Sequence, residues 1–168
     1  AENGQITARK ILEKGHTRLI HSHYDPEKEG IKWAELVPPG SEMLVILGFG
    51  LGYHVLALRN YDYRKLVIVE ADRELFRLAL CSVSLESVLS DSKTRFLLGE
   101  SPETVREFFE RLDPGRLRYR MYFPVTDLYP DYYPPVRDML EEHVFRRRMK
   151  EDPVLCGGIE KLLAETVQ

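Results

Sequence analysis

The chain has 168 residues, 43% hydrophobic and 10% aromatic, the length of one domain with enough apolar material to bury a core unaided, so disorder and a bare peptide module are excluded. Its 24 basic against 27 acidic side chains give a net charge of -3, which offers no broad cationic surface to a phosphate backbone and argues against nucleic acid as a partner. Cys81 and Cys156 lack CxxC spacing, the apolar runs are strand-length and no signal peptide is visible, which argues against a disulfide framework, structural zinc or a membrane span and fits a cytoplasmic setting.

The N-terminus alternates from Ile6 to Leu12, turns at Glu13-Lys14-Gly15 and resumes from His16 to Ser22, predicting a β-hairpin within residues 1–24. Asp25-Pro26 predicts a capped helix with proline in its first turn, running to about Val37, where Pro38-Pro39-Gly40 stop it. Met43 to Leu47 and Leu66 to Val69 are unbroken aliphatic runs, expected as adjacent central strands covered on both faces, as in a parallel sheet. Asp72 caps a segment carrying Leu75, Phe76, Ala79 and Leu80 at helical spacing. Ser101-Pro102 opens another with Val105, Phe108, Phe109 and Leu112 on one face. Further strands are expected at Thr94 to Leu98 and Leu117 to Phe123.

From Met43 onward the order is strand, helix, strand, helix, strand, helix, strand. With right-handed crossovers this predicts an α/β domain over residues 25–152, a Rossmann-like, doubly wound, mainly parallel sheet preceded by the small hairpin. Tyr129 to Pro135 reads as a rigid aromatic loop before a helix with Val136, Met139, Leu140, His143 and Val144 on one face, which Pro153 ends. Gly157-Gly158 reads as a hinge before an amphipathic helix with Ile159, Leu162 and Leu163. Residues 153–168 are therefore expected to lead into a downstream domain and to pack poorly without it. The start at Ala1 and the stop at Gln168 inside a helical pattern fit a segment of a longer protein.

The strongest chemical signal is Val45-Ile46-Leu47-Gly48-Phe49-Gly50-Leu51-Gly52-Tyr53-His54. A buried strand running into alternate glycines and then a helix brings bare backbone and N-terminal N–H groups close to a ligand. Tyr53 stands where the dinucleotide fingerprint wants a small residue. The spacing of Gly48, Gly50 and Gly52 instead resembles the first motif of S-adenosylmethionine-dependent methyltransferases, although Val45 and Ile46 replace its acidic residue. Glu70 ends the next strand, 18 residues after Gly52, where a carboxylate that accepts ribose hydroxyls is expected in such a fold. Gly99-Glu100-Ser101 ends the third strand, with Glu100 a candidate adenine contact. The candidate ligand-binding set is thus Gly48, Gly50, Gly52, Tyr53, Glu70 and Glu100, for an S-adenosylmethionine-like or nucleotide ligand at the C-terminal ends of the strands. Against it stands the simpler reading: glycines that permit a tight turn, a solvated Glu70 and Ser101 as a cap.

His21-Ser22-His23-Tyr24-Asp25-Pro26 is the second unusual stretch. Two histidines at i, i+2 share a strand face, but no third ligand follows at metal-site spacing. Asp25 is most simply a cap and His54 a solvated first-turn histidine; roles at the mouth of the glycine-loop pocket are the sharper alternatives. No GxSxG elbow occurs, and Cys81 beside Leu80 reads as a buried, inert thiol. Arg146-Arg147-Arg148 with Lys150 reads as a charged solvent face.

The stretch His21-Ser22-His23-Tyr24-Asp25-Pro26-Glu27-Lys28-Glu29, followed by Leu47-Gly48-Phe49-Gly50-Leu51-Gly52-Tyr53-His54 and Ile68-Val69-Glu70-Ala71-Asp72, resembles the N-terminal region of the motility-associated factor (Maf) family. These are bacterial proteins linked to flagellin glycosylation, in which a nonulosonic-acid transferase domain follows. The resemblance covers roughly His16 to Glu103, and Tyr132-Tyr133 with its helix more loosely. In the family pattern an arginine commonly precedes the tyrosine, and His23 takes its place, so no anion contact is carried over. The resemblance implies a Rossmann-like N-terminal domain of a cytoplasmic sugar-transfer protein, with a downstream domain of the same chain and flagellin as partners and no catalytic residues carried over. The alternative is a methyltransferase or polyamine-synthase-like enzyme, for which Asp127, after the fourth strand, is the one candidate base.

Overall fold

The computed structural model describes residues 1–112 and 116–151. A two-stranded antiparallel hairpin, β1 (Arg9–Ile11) and β2 (Thr17–Leu19), comes first. Lys14 and Gly15 turn it at φ 59 and 78, the left-handed region that glycine tolerates without strain. Helix α1 (Pro26–Glu35) follows, capped by Asp25, whose carboxylate accepts the Lys28 amide at 2.8 Å.

Strand β3 (Ser41–Leu47) leads through the glycine loop into the short α2 (Tyr53–Leu56) and a 3-10 turn at Ala57–Asn60. β4 (Tyr63–Glu70) is followed by α3 (Arg73–Ser82) and α4 (Glu86–Leu89), then β5 (Thr94–Leu98) and α5 (Pro102–Glu110). The chain closes with β6 (Leu117–Met121), α6 (Phe123–Thr126) and α7 (Tyr133–Glu151).

The main sheet has the order β5-β4-β3-β6 with every pairing parallel. Its two central strands are the two aliphatic runs. Val45, Ile46, Leu47, Val67, Ile68 and Val69 are completely buried, so successive side chains, which point to opposite faces, all meet protein. Burying each contributes about 1.5 to 3 kcal/mol. The strand order reverses beside β3, which is the doubly wound, Rossmann-like arrangement of a mixed α/β fold.

Three details depart from the sequence reading. β6 stops at Met121 rather than Phe123: the Tyr122 amide makes the last bond to β3, donating to Leu47 O at 2.8 Å, and Phe123-Pro124 then opens α6. The aromatic loop ends early: α7 begins at Tyr133, with Pro134 and Pro135 in its first turn, where a missing N–H costs nothing. Leu80 lies on the solvent side of α3, 45% exposed, while Leu75, Phe76 and Ala79 are buried. The expected stop at Pro153 and the hinge and helix after it lie outside the described residues.

The N-terminal segment is laid across the C-terminal ends of the strands. Tyr53 Oη donates to Ile6 O at 2.8 Å and Ile20 N to Ala8 O at 2.9 Å. Lys10 Nζ donates to Asp72 at 2.8 Å and to Tyr129 Oη at 2.9 Å, and Arg18 pairs with Asp127 at 2.7 Å. Among the described residues no helix is long and apolar enough to cross a membrane.

Candidate functional site

The glycine loop sits where its sequence puts it, at the end of β3. Gly48 and Gly50 have φ of 88 and 57, and both are buried. A Cβ at Gly50 would lie 2.8 Å from His21 Nε2, and one at Gly48 would lie 3.2 Å from Val125 Cβ and Thr126 Cγ2. Glycine is needed here because the chain's own side chains press on the loop.

Every amide of the loop has a partner within the chain. Gly48 N donates to Val69 O at 2.9 Å and Gly52 N to Phe49 O at 2.9 Å. Phe49 N and Gly50 N both donate to Glu70 Oε2, at 2.7 and 3.3 Å. Leu51 N donates to His21 Nε2 at 2.9 Å. The donors that would cradle a phosphate or carboxylate are thus held by one carboxylate and one imidazole.

Glu70 differs most from the sequence reading. It is completely buried, and its second oxygen, Oε1, accepts Asp72 N at 2.9 Å and Tyr133 Oη at 3.2 Å. Its acceptors face its own loop rather than ribose hydroxyls, and it is not solvated either. Burial pushes its carboxyl above the ordinary range, and the donated hydrogen bonds only partly offset this. Tyr133 is itself buried, and burial, then the charge of Glu70, drive its hydroxyl well upward.

His21 anchors a second network. Because Nε2 accepts the Leu51 amide, the hydrogen-bond pattern assigns the ring proton to Nδ1, which lies 2.6 Å from Tyr122 Oη and 3.3 Å from Glu29 Oε2. Tyr122 Oη lies 2.9 Å from Glu29 Oε2, which also accepts Ser22 N at 2.9 Å. Burial holds the His21 imidazole below its ordinary pKa, so it is neutral. Burial raises the Glu29 carboxyl, but the hydrogen bonds from His21, Ser22 and Tyr122 outweigh it and leave the net shift downward.

His54, expected at the surface or facing a ligand, is fully buried. Its ring stacks on Tyr122 at 4.0 Å and 11°, and Nε2 donates to Gly48 O at 3.0 Å. Burial, then the neighbouring His21, hold it well below its ordinary pKa.

The remaining candidates scatter. Tyr53 is 8% exposed and tied to Ile6. Glu100 is partly exposed, 3.7 Å from Arg73, and its charge, like that of Glu70, acts on the hydroxyl of Tyr132. His23 is about half exposed, facing Glu2 at 3.8 Å, so the two histidines of the motif do not converge. Asp127 is turned outward to Arg18. Cys81, read as buried, is an exposed free thiol. A groove of about 860 Å³ lies beside α2, lined in part by Ile31, Arg59, Asn60 and Ser87; of the candidate residues only Tyr53 reaches it.

Sequence reasoning gave Tyr122 and Tyr133 no role in the site. Tyr122 lies within the expected fourth strand and Tyr133 within the expected aromatic loop, but their partners His21 and Glu70 lie 101 and 63 residues away.

No curated protein is significantly similar to the chain. Among solved structures it is similar to a spermidine synthase in complex with the transition-state analogue AdoDATO, at 16% identity over 62% of this chain and 42% of that one, TM-score 0.42. A spermidine synthase from Thermotoga maritima gives 14% identity, the same coverage of 62% and 42%, and TM-score 0.41. A Maf glycosyltransferase from Magnetospirillum magneticum gives 13% identity over 79% of this chain and 31% of that one, TM-score 0.43. The chain therefore spans less than half the length of these proteins. The family model described as the glycosyltransferase Maf N-terminal domain matches residues 2–146, and the chain belongs to that family.

Proposed function

We propose that the chain is a non-catalytic, nucleotide-binding-like module at the N-terminal side of a cytoplasmic glycosyltransferase acting in flagellin glycosylation, whose transfer chemistry resides in a downstream domain reached through residues 153–168. Membership of the family supports the glycosyltransferase connection, and the resemblance of the His21 to Glu29 and Gly48 to His54 stretches supports the link to flagellin. One observation carries the non-catalytic reading: the loop amides of Phe49, Gly50 and Leu51 are occupied by Glu70 and His21. A ligand at the Gly48 to Gly52 loop, with Glu70 on its hydroxyls, would have to break four hydrogen bonds to Glu70, each costing about 1 kcal/mol or more when left unmade in the interior.

The test is thermal shift with S-adenosylmethionine, S-adenosylhomocysteine and nucleotide sugars, on wild type and Glu70→Ala. The expected result is no shift in either protein, and no transfer to flagellin by the chain alone. A ligand at 100 times its dissociation constant would add about 2.7 kcal/mol. A shift of that size with an adenosyl ligand, lost in Glu70→Ala, overturns the reading in favour of a methyltransferase or polyamine-synthase-like enzyme.

A further inference from the structure

The N-terminal hairpin changes character along its length. Its root is fixed by apolar burial: Ile20 belongs to the core, Ala8 packs against it, and Ile20 N donates to Ala8 O at 2.9 Å. Beyond the root, in residues 9–19, Ile11, Leu12 and Leu19 take no part in the core, and Ile11 is 74% exposed. Among the described residues this tip is held to the body by two side chains. Lys10 Nζ donates to Asp72 at 2.8 Å and Tyr129 Oη at 2.9 Å, 5.2 Å from the Tyr129 ring centre, and Arg18 pairs with Asp127 at 2.7 Å.

Lys10 and Arg18 are also each other's partners in the hairpin register. Directly opposed residues on neighbouring strands stand about 5 Å apart, and like charges there repel. A two-stranded hairpin is marginal in water even without that repulsion. The body supplies the missing counter-charges from two separate elements, Asp72 at the N-cap of α3 and Asp127 at the C-cap of α6. Docked, the tip has both cations neutralised; lifted, it sets them face to face with nothing between. Forming the tip and docking it are therefore one event. The hold is light, because the Arg18 and Asp127 side chains are 42% and 45% exposed, and salt screens such pairs.

We propose that the hairpin tip, residues 9–19, is a lid that opens about Ala8 and Ile20, with Lys10 and Arg18 as its ionic latch. Closed, it covers Asp72, Tyr129 and Asp127 beyond the C-terminal ends of the strands, the end at which doubly wound sheets admit ligands. Opening uncovers those three side chains and leaves Ile20, His21 and the glycine loop in place, because the apolar root does not move. Whatever competes for the four charges, added salt first of all, favours the open form. The proposal goes beyond the functional reading above and stands whether or not the glycine loop takes a ligand.

Native-state hydrogen exchange of the chain is the test. The Leu12 amide, which donates to His16 O at 2.7 Å, reports the tip; the Ile20 amide reports the root, and the Tyr122 amide, on Leu47 O at 2.8 Å, reports the sheet. Raising sodium chloride from about 0.05 M to about 1 M should speed exchange at Leu12 about fivefold and leave Ile20 and Tyr122 unchanged. Asp127→Asn should speed Leu12 about threefold, and the double variant with Asp72→Asn about tenfold, with little further response to salt. Asp72 also caps α3 through the Leu75 amide at 3.0 Å, so unchanged exchange at Leu75 in the double variant shows that the cap is kept and the latch alone is lost. Indifference of Leu12 to both salt and the double variant overturns the proposal. So does acceleration of Ile20 in step with Leu12, which would mean that the whole segment leaves, or a double variant as salt-sensitive as the wild type.

Discussion

His21 Nε2 accepts the amide hydrogen of Leu51 at 2.9 Å, joining the N-terminal segment to the glycine loop across 30 residues of chain. The bond works only while His21 is neutral with its proton on Nδ1, and the hydroxyl of Tyr122 at 2.6 Å holds it that way.

Replacing His21 with alanine should leave the Leu51 amide buried without an acceptor and open a cavity beneath the loop. The expected loss is about 3 kcal/mol in chemical denaturation, with faster hydrogen exchange at Leu51. A loss near zero would mean that the amide is not held by the imidazole.

The two buried histidines set an acid limit. Their folded pKa values lie below the ordinary 6.5, so the unfolded chain binds protons that the folded one refuses. Their contribution to stability is complete above pH 6.5 and is lost as the pH falls below it. The denaturation free energy should therefore drop between pH 6.5 and 5, by at most about 1.4 kcal/mol per pH unit for each histidine. In His54→Phe the slope should be smaller, and an unchanged slope would refute the assignment.

Asp72 titrates with the opposite sign. Burial raises its carboxyl, but hydrogen bonds from Lys10, Tyr129 and the Leu75 amide overcome this and leave it at about 2, below the ordinary 3.8. Its contribution is present above pH 3.8 and is lost as the pH falls toward 2. Asp72→Asn keeps a helix-capping residue while removing the charge beside Lys10, so wild type and variant should differ at pH 5 and converge toward pH 2. A difference that persists at the acid end would place the effect in the cap alone.

Tyr133→Phe removes one hydroxyl that donates to Glu70 and accepts the Ala71 amide at 3.1 Å. About 1 to 3 kcal/mol should be lost, measured by urea unfolding, because the amide and the carboxylate each forfeit a buried partner. A neutral result would mean water replaces the hydroxyl.

Much of the scaffold was legible because it is written locally. Leu66 to Val69 declares itself a doubly covered strand by having no polar position, and Asp25, Asp72 and Ser101 declare helix starts by cap chemistry. The site was not legible in the same way. An acid at the end of β4 has the same sequence signature whether it faces a ligand or the amides of Phe49 and Gly50, and only the three-dimensional path distinguishes them. The same holds for His54, whose place in the first turn of α2 says nothing about the Tyr122 ring stacked on it.

The Lys10 bridge to Asp72 and Tyr129 spans 62 and 119 residues of chain. A ribosome delivers the hairpin long before it delivers Tyr129, so a nascent β1–β2 must wait without its mates while the parallel sheet, itself slow to assemble, grows behind it. Two short strands alone are marginal in water. Made before its partners, the hairpin is thus among the last of these elements to settle, and until then it is open to chaperones and proteases.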